Sequence, residues 1–374
     1  MVALKKSKVI KKKITKVAAR IKKAVKKVVK KGKSRILKRK KTPLDLVRSR
    51  KNPIIEPGGT YWDSRAAFNP SAIYHDGKVH VIYRAIGESD ISVLGYAGSN
   101  DGFSFDSRYK KLAYYTKKLP IDISVQHISY LSGGGTAGGC EDPRLTKLGD
   151  RVYMLYTAFD GWGSLRIALT SMSLEDFVRG RFNWKEPVLI SPPGEIHKNW
   201  VLFPEKIKGK YALMHSFAPK ILVEYLDSLD ELDGKKFIKS DNTRPVDKTR
   251  TWDSWFRGVG PSPIKTKYGW LVIYHAMDHK NPDRYRIGAM ILDLKDPTKV
   301  LYRSSEPILE PEEWYENEGY KSGVVYSCGA VVKDGVLFVY YGGADKVSCV
   351  ATADLDKFLK ELIKTGKTKL ARKK

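Results

Sequence analysis

Glu141, Asp142 and Arg144 fall within four residues, EDPR, directly behind five glycines in the seven residues 133–139. Two acids beside a fixed cation suit proton transfer, because a neighbouring charge decides which carboxyl holds a proton at neutral pH. The glycines let the backbone pass close to another surface, and Pro143 fixes the turn behind Asp142. Taken alone, the stretch is also what a solvated surface loop looks like. The elements that position it have to decide.

Those elements repeat. A glycine turn followed by an apolar and aromatic strand ending in a polar or small residue occurs five times: DGKVHVIYRA (76–85), GDRVYMLYTA (149–158), KGKYALMHSF (208–217), YGWLVIYHAM (268–277) and DGVLFVYYGG (334–343). The anchors Tyr83, Tyr156, His215, Tyr274 and Tyr341 lie 73, 59, 59 and 67 residues apart. Between them, VLGYAGSNDG, LRIALTSMS and YRIGAMILDL also read as strands and turns, and only DLDKFLKELIKT near the C-terminus reads as a helix of the body. Fivefold recurrence predicts an all-β chain folded as a five-bladed β-propeller. A jelly roll or sandwich would not recur in this way. In a propeller whose innermost strands are the recurrent ones, Arg84, Thr157, Ser216 and His275 end neighbouring strands and face one shared site, over which the glycine run presents Asp142.

Seven ordered blocks carry a resemblance to a known family: NPSAIYHDGKVHVIYRA, GYAGSNDG, GCEDPR, LFPEKIKGKY, GWLVIYHAM, YRIGAMILDLKDP and YYGGAD, spanning roughly residues 55–355. Together they resemble family 130 of the glycoside hydrolases, the β-mannoside phosphorylases and related β-mannosidases, whose fold is a five-bladed propeller. The resemblance implies an inverting reaction on a β-mannosyl oligosaccharide with a single acid from the protein, Asp142, which relays its proton through a mannose hydroxyl. Phosphate attacks the anomeric carbon from the opposite face, as inversion requires. Asn69, Arg84, His275 and Asp345 match residues that contact the mannosyl unit, with Glu141 and Arg144 beside the acid. Tyr285 matches an aromatic hydroxyl near phosphate.

Phosphate is already an anion, so phosphorolysis needs no second carboxylate, whereas hydrolysis needs a base to activate water. By resemblance, phosphate is held by two arginines and a lysine, and the matching positions are Lys198, Ser216 and Arg257. Two remain cationic, one exchanged from Arg to Lys and the other from Lys to Arg. Ser216 departs, offering a hydroxyl without charge. A hydrolase would replace the cations more completely, with Glu195 or Glu205 as candidates to orient water. The pattern favours the phosphorylase: α-mannose 1-phosphate and a shortened sugar as products, inorganic phosphate as co-substrate, and no cofactor. A non-catalytic carbohydrate-binding propeller, with Trp62, Trp162, Trp200 and Trp255 as stacking platforms, leaves the acid and the cations unexplained. Nothing in the motifs sets the linkage, β-1,2 or β-1,4, the acceptor sugar or an oligomeric state.

Charge divides the chain. Of a formal net +28, residues 1–50 carry 22 Lys and Arg against one acid, while the other 324 residues carry 47 bases and 40 acids. The expected organisation is a basic tail and linker over residues 1–50 and a catalytic propeller with a short C-terminal helix over 51–374. Ile10, Ile14, Val17, Ile21, Val25 and Val28 step by four and three, so the tail reads as an amphipathic helix fit for an anionic membrane surface or a nucleic acid through residues 1–42, or as a solvated extension. Three cysteines without CxxC spacing and seven histidines without a metal signature suggest neither disulfides nor a metal site. Lysines interrupt every apolar run that would serve as a signal or a span, so the chain reads as cytoplasmic.

Overall fold

Tight turns between apolar runs set the architecture. Asp76–Gly77 and Asp334–Gly335 both have positive φ, the backbone that two-residue hairpin turns need to match strand twist. The computed structural model describes residues 41–106, 108–115, 138–159, 165–241, 246–248 and 252–366. The stripe of the tail, the glycines before residue 138 and Trp162 lie outside the described residues. The chain divides into two units, Met1–Thr42 and Pro43–Lys374.

The larger unit is built almost wholly of strands. After β1 (Val47–Arg48), a first group comprises β2 (Ala66–His75), β3 (Lys78–Ile86) and β4 (Ile91–Ser99). A second comprises β5 (Gly138–Leu148), β6 (Arg151–Phe159), β7 (Leu165–Ser173) and β8 (Val188–Leu189). The third is β9 (Val201–Leu202), β10 (Tyr211–Ser216) and β11 (Leu222–Leu226). The fourth is β12 (Trp255–Val259), β13 (Ile264–Thr266), β14 (Gly269–Asp278), β15 (Asn281–Leu292) and β16 (Val300–Arg303). The last is β17 (Val325–Lys333), β18 (Val336–Gly343) and β19 (Val347–Asp354), onto which β1 adds in antiparallel register. Within each group the strands pair antiparallel.

Each recurrent strand (β3, β6, β10, β14 and β18) is the middle strand of its group, flanked on both sides. It is not the innermost strand expected from the repeat. The apolar run records burial on both faces, which a middle strand shares with an innermost one: successive side chains point opposite ways, and here both ways lead into apolar cores. Val81 and Tyr83 pack with Phe338 and Tyr340 of the fifth group, while Ile82 packs with Leu145 and Met154 of the second. Leu155 and Leu213 share a core between the second and third groups, and Met214 and Val272 one between the third and fourth. Ile273 and Val339 join the fourth to the fifth. Each group thus shares a core with the next, and the fifth with the first.

Polar ties reinforce the link between first and last groups. The Ala67 amide donates to the Lys346 carbonyl at 2.9 Å, and the Ser348 hydroxyl to the Ala67 carbonyl at 2.9 Å. Residues 43–50, read from composition as part of the basic segment, lie in the larger unit. Leu44 and Leu46 are buried in the core between the fourth and fifth groups. The expected C-terminal helix forms over Leu355–Thr365: the Asp354 side chain caps it by accepting from the Lys357 amide, and Phe358, Leu359 and Leu362 turn inward.

Candidate active site

The strands deliver their polar residues to one face through bulges. The pairing of β2 with β3 slips between Phe68 and Ser71, and that of β5 with β6 between Glu141 and Arg144. At the two slips Asn69 and Asp142 each take φ of 49°, directly before a proline. That left-handed backbone is uncommon outside glycine, and Asn and Asp tolerate it best. Strain of this kind concentrates at functional sites. Gly139 makes the approach possible: with φ of 111°, a Cβ there would lie 2.1 Å from the Ser92 carbonyl oxygen.

The slips bring the first two groups into contact. Asn69 Nδ2 donates to Asp142 Oδ1 at 2.8 Å, and Arg84 Nη1 donates to the same oxygen at 3.3 Å. Among the described residues, Asp142 Oδ2 accepts no hydrogen bond. Arg84 is fully buried and also pairs with Glu141 at 3.0 Å, while its Nε donates to the Ser92 hydroxyl at 2.8 Å. Glu141 in turn receives Lys198 Nζ at 3.1 Å. Burial alone would raise the Asp142 carboxyl, but Arg84, Lys198 and Arg144 outweigh it and hold it below the ordinary range.

Arg144 braces the floor. It donates to the carbonyls of Gly260 at 3.0 Å and Asp142 at 2.7 Å, to Asn199 Oδ1 at 2.7 Å and to the Tyr326 hydroxyl at 3.1 Å. Tyr326 stacks on His275 with ring centroids 4.0 Å apart. Burial, then Arg144, pushes the His275 imidazole down to about 3, so it is neutral. Its Nε2 meets both the carbonyl and the amide of Ser327, and its Nδ1 is buried without a partner. Asn69 Oδ1 and Thr157 Oγ1 are likewise buried and unpartnered. Buried polar atoms are nearly always satisfied, and these three orphans, on β2, β6 and β14, mark where a hydroxyl-rich ligand would bond. Asp345 is almost fully buried, and burial raises its carboxyl despite Lys321 nearby.

The positions matched to phosphate form an adjoining recess, lined by Lys198, Ser216, Arg257, Asn199, Asp241 and His215 among others. Arg257 Nε donates to the Tyr285 hydroxyl at 2.9 Å. Among the described residues Arg257 makes no ion pair. The Ser216 hydroxyl lies 3.1 Å from the Lys220 carbonyl and 3.2 Å from that of Asp241. Its one proton is therefore directed at the backbone, which leaves lone pairs for the recess. Glu205 pairs with Lys265 at the surface and Glu195 with His197 at 2.8 Å, and neither lines the recess. Trp200 is buried in the core, so it is no stacking platform; Trp62 stacks on Tyr83, and Trp255 lies under the Arg257 guanidinium.

Three residues here escaped the sequence reading. Asn199 and Tyr326 join the Arg144 network, and the Lys321 ammonium lies 4.5 Å from the Tyr285 ring centroid. Asn199 stands beside Lys198 in HKNW, which could have flagged it; nothing local singles out the other two.

A sequence model of the family described as beta-1,4-mannooligosaccharide phosphorylase matches residues 29–364. The 1,2-beta-oligomannan phosphorylase of Thermoanaerobacter sp. (strain X514) is 41% identical over 324 residues, covering 83% of this chain and 98% of that protein. The beta-1,2-mannobiose phosphorylase of the same organism is 37% identical over 329 residues, again covering 83% and 98%. The solved complex of Listeria innocua beta-1,2-mannobiose phosphorylase with beta-1,2-mannobiose superposes with a TM-score of 0.65 at 24% identity, covering 85% of this chain and 99% of that one.

Proposed function

The chain belongs to glycoside hydrolase family 130, and from that premise we propose that it is an inverting β-mannoside phosphorylase with Asp142 as its acid. The observation that carries this reading is the pairing of one carboxylate that keeps an open oxygen with a recess whose described lining holds two cations, Lys198 and Arg257, against one acid, Asp241. His215 also lines it, and its imidazole is pushed down to about 4, chiefly by burial, so the two cations set the charge of the recess and suit a phosphate. Asn69, Arg84, His275 and Asp345 hold the mannosyl unit, and Asp142 Oδ2 gives its proton through a sugar hydroxyl to the departing oxygen. Phosphate held by Lys198, Arg257 and the Tyr285 hydroxyl attacks from the other face and leaves as α-mannose 1-phosphate. The substrate is β-1,2-linked, as the names of the two relatives covered over 98% of their length suggest.

The five shared cores support a five-bladed propeller as the scaffold, with residues 43–374 as the catalytic domain. Three free, buried cysteines suit the reducing cytoplasm. No helix among the described residues is long and apolar enough to cross a membrane.

Two substitutions test the phosphate site. Arg257→Ala is expected to raise the phosphate concentration for half-maximal rate by about tenfold or more, since a hydrogen bond to a charged group contributes about 1.5–3 kcal/mol. The half-saturating mannoside concentration should hardly move. Ser216→Arg should lower the phosphate requirement, because a charge-assisted bond is stronger than a neutral one. Steady-state rates against phosphate for the three proteins would reject the site if Arg257→Ala leaves that curve in place.

Acid catalysis also fixes a pH dependence. Asp142 must be protonated to act, yet the surrounding cations hold it ionised in the free enzyme. A phosphate anion beside Lys198 offsets that field and raises the carboxyl. The alkaline limb of kcat, measured at saturating phosphate, is therefore expected at higher pH than the alkaline limb of kcat/KM, which reports the free enzyme. Coincident limbs would show that phosphate does not set the acid's protonation.

A further inference from the structure

Phosphate calls for more positive charge than the recess supplies. Near neutral pH the anion carries more than one negative charge. Of the two cations in the lining, Lys198 already pairs with Glu141 at 3.1 Å, and Ser216 adds no charge at the third expected position. Another cation stands close by, on the Tyr285 ring. The Lys321 ammonium lies 4.5 Å from that ring's centroid and the Arg257 guanidinium 5.8 Å from the same centroid, while the Tyr285 hydroxyl receives Arg257 Nε at 2.9 Å. Two positive charges thus crowd one phenol. Lys321 is exposed, and at an exposed site an aromatic face attracts a cation only weakly. Among the described residues its ammonium makes no hydrogen bond and no ion pair.

The backbone around Lys321 is fixed on both sides. Its amide donates to the Ala344 carbonyl at 3.1 Å, and the Ala344 amide to the Val324 carbonyl at 3.0 Å, which ties the segment to the turn carrying Asp345. On the other side the Tyr285 amide donates to the Gly323 carbonyl at 2.9 Å. Gly323, with φ of 77°, passes so close that a Cβ would lie 2.7 Å from the Asp283 carbonyl oxygen. Glu316 anchors the start of the segment: Arg48 grips its carboxylate through two nitrogens, at 2.8 and 2.9 Å, and its carbonyl accepts from the Gly323 and Val324 amides, each at 3.1 Å. Lys321 is therefore held between Tyr285, beside the phosphate recess, and Asp345, beside the acid. The electrostatics agree. Burial raises the Asp345 carboxyl, Lys321 is the strongest charge opposing it, and Lys198 opposes it from the recess.

We propose that Lys321 is the third cation of the phosphate site, a binding residue that supplies the charge Ser216 lacks. The assignment rests on the phosphorylase reading of the site. Steady-state phosphorolysis of β-1,2-mannobiose by Lys321→Ala, by Lys321→Arg and by Lys321→Ala combined with Ser216→Arg tests it. Lys321→Ala is expected to raise the half-saturating phosphate concentration about five- to tenfold, as for an exposed charge pair strengthened by hydrogen bonding, while that for mannobiose stays within about twofold. Lys321→Arg keeps the charge and should retain most of the phosphate affinity. Adding Ser216→Arg to Lys321→Ala should recover most of the loss, which a merely structural lysine would not allow. Raising salt should weaken phosphate binding more in the unmodified protein than in Lys321→Ala, because the charge removed is an exposed one. A phosphate curve that Lys321→Ala leaves in place, a mannobiose curve that moves as far, or a Lys321→Arg protein as impaired as the alanine variant overturns the proposal. An unmodified protein whose rate ignores phosphate would instead overturn the phosphorylase reading beneath it.

Discussion

Asp142→Asn is expected to lower kcat on an unactivated β-mannoside by about 100- to 10,000-fold, the usual contribution of a positioned general acid. The fold should survive, because the substitution touches only what the chemistry needs. An asparagine Oδ1 still accepts from Asn69 Nδ2 and Arg84 Nη1, the two bonds the carboxylate makes through that oxygen. Arg84 also keeps its buried partner Glu141 at 3.0 Å, and Arg144 keeps its bonds to the carbonyls of Gly260 and residue 142, to Asn199 and to Tyr326. The amide replaces Oδ2, the oxygen left open, and cannot release a proton. A mannoside with a good leaving group departs without that proton, so the variant should lose far less on an aryl β-mannoside than on mannobiose. Equal losses on both would make Asp142 a positioning residue, and near-normal turnover of mannobiose would remove it from the mechanism.

The scaffold was legible because burial on both faces writes itself into composition. Strands such as β14, with Leu271 and Ile273 turned to one core and Val272 and Tyr274 to another, leave a continuous apolar run that recurs visibly. Their place within each group was not legible: a middle strand and an innermost one bury both faces alike, and pairing partners leave no local mark. The site followed the same division. Asn69 and Asp142 could be singled out because each precedes a proline in a short motif. The bulges that turn them together are register shifts between strands, which no single-strand period records. Arg144 reaches Asn199, 55 positions on, and Tyr326, 182 positions on, so that brace exists only once the chain has folded. Ser216 shows the limit from the other side. Its position reads from sequence as a departure, but that backbone carbonyls engage its proton depends on the chain around residues 220 and 241.

Withholding phosphate is expected to have an effect at least as large as removing the acid. If the recess of Lys198 and Arg257 holds the nucleophile, a phosphate-free enzyme has nothing placed to attack the anomeric carbon. Glu195 and Glu205 are engaged elsewhere, and on this reading Asp241, the one carboxylate of the described lining, does not activate water. General base assistance contributes about 100- to 10,000-fold, so residual hydrolysis should run at least about two orders of magnitude below phosphorolysis. The most direct measurement is incubation of the unmodified protein with β-1,2-mannobiose, with and without inorganic phosphate, resolving mannose 1-phosphate from free mannose. With phosphate, α-mannose 1-phosphate and mannose should appear in equal amounts, and without it neither should accumulate. Two equivalents of free mannose released at full rate in phosphate-free buffer would contradict the account.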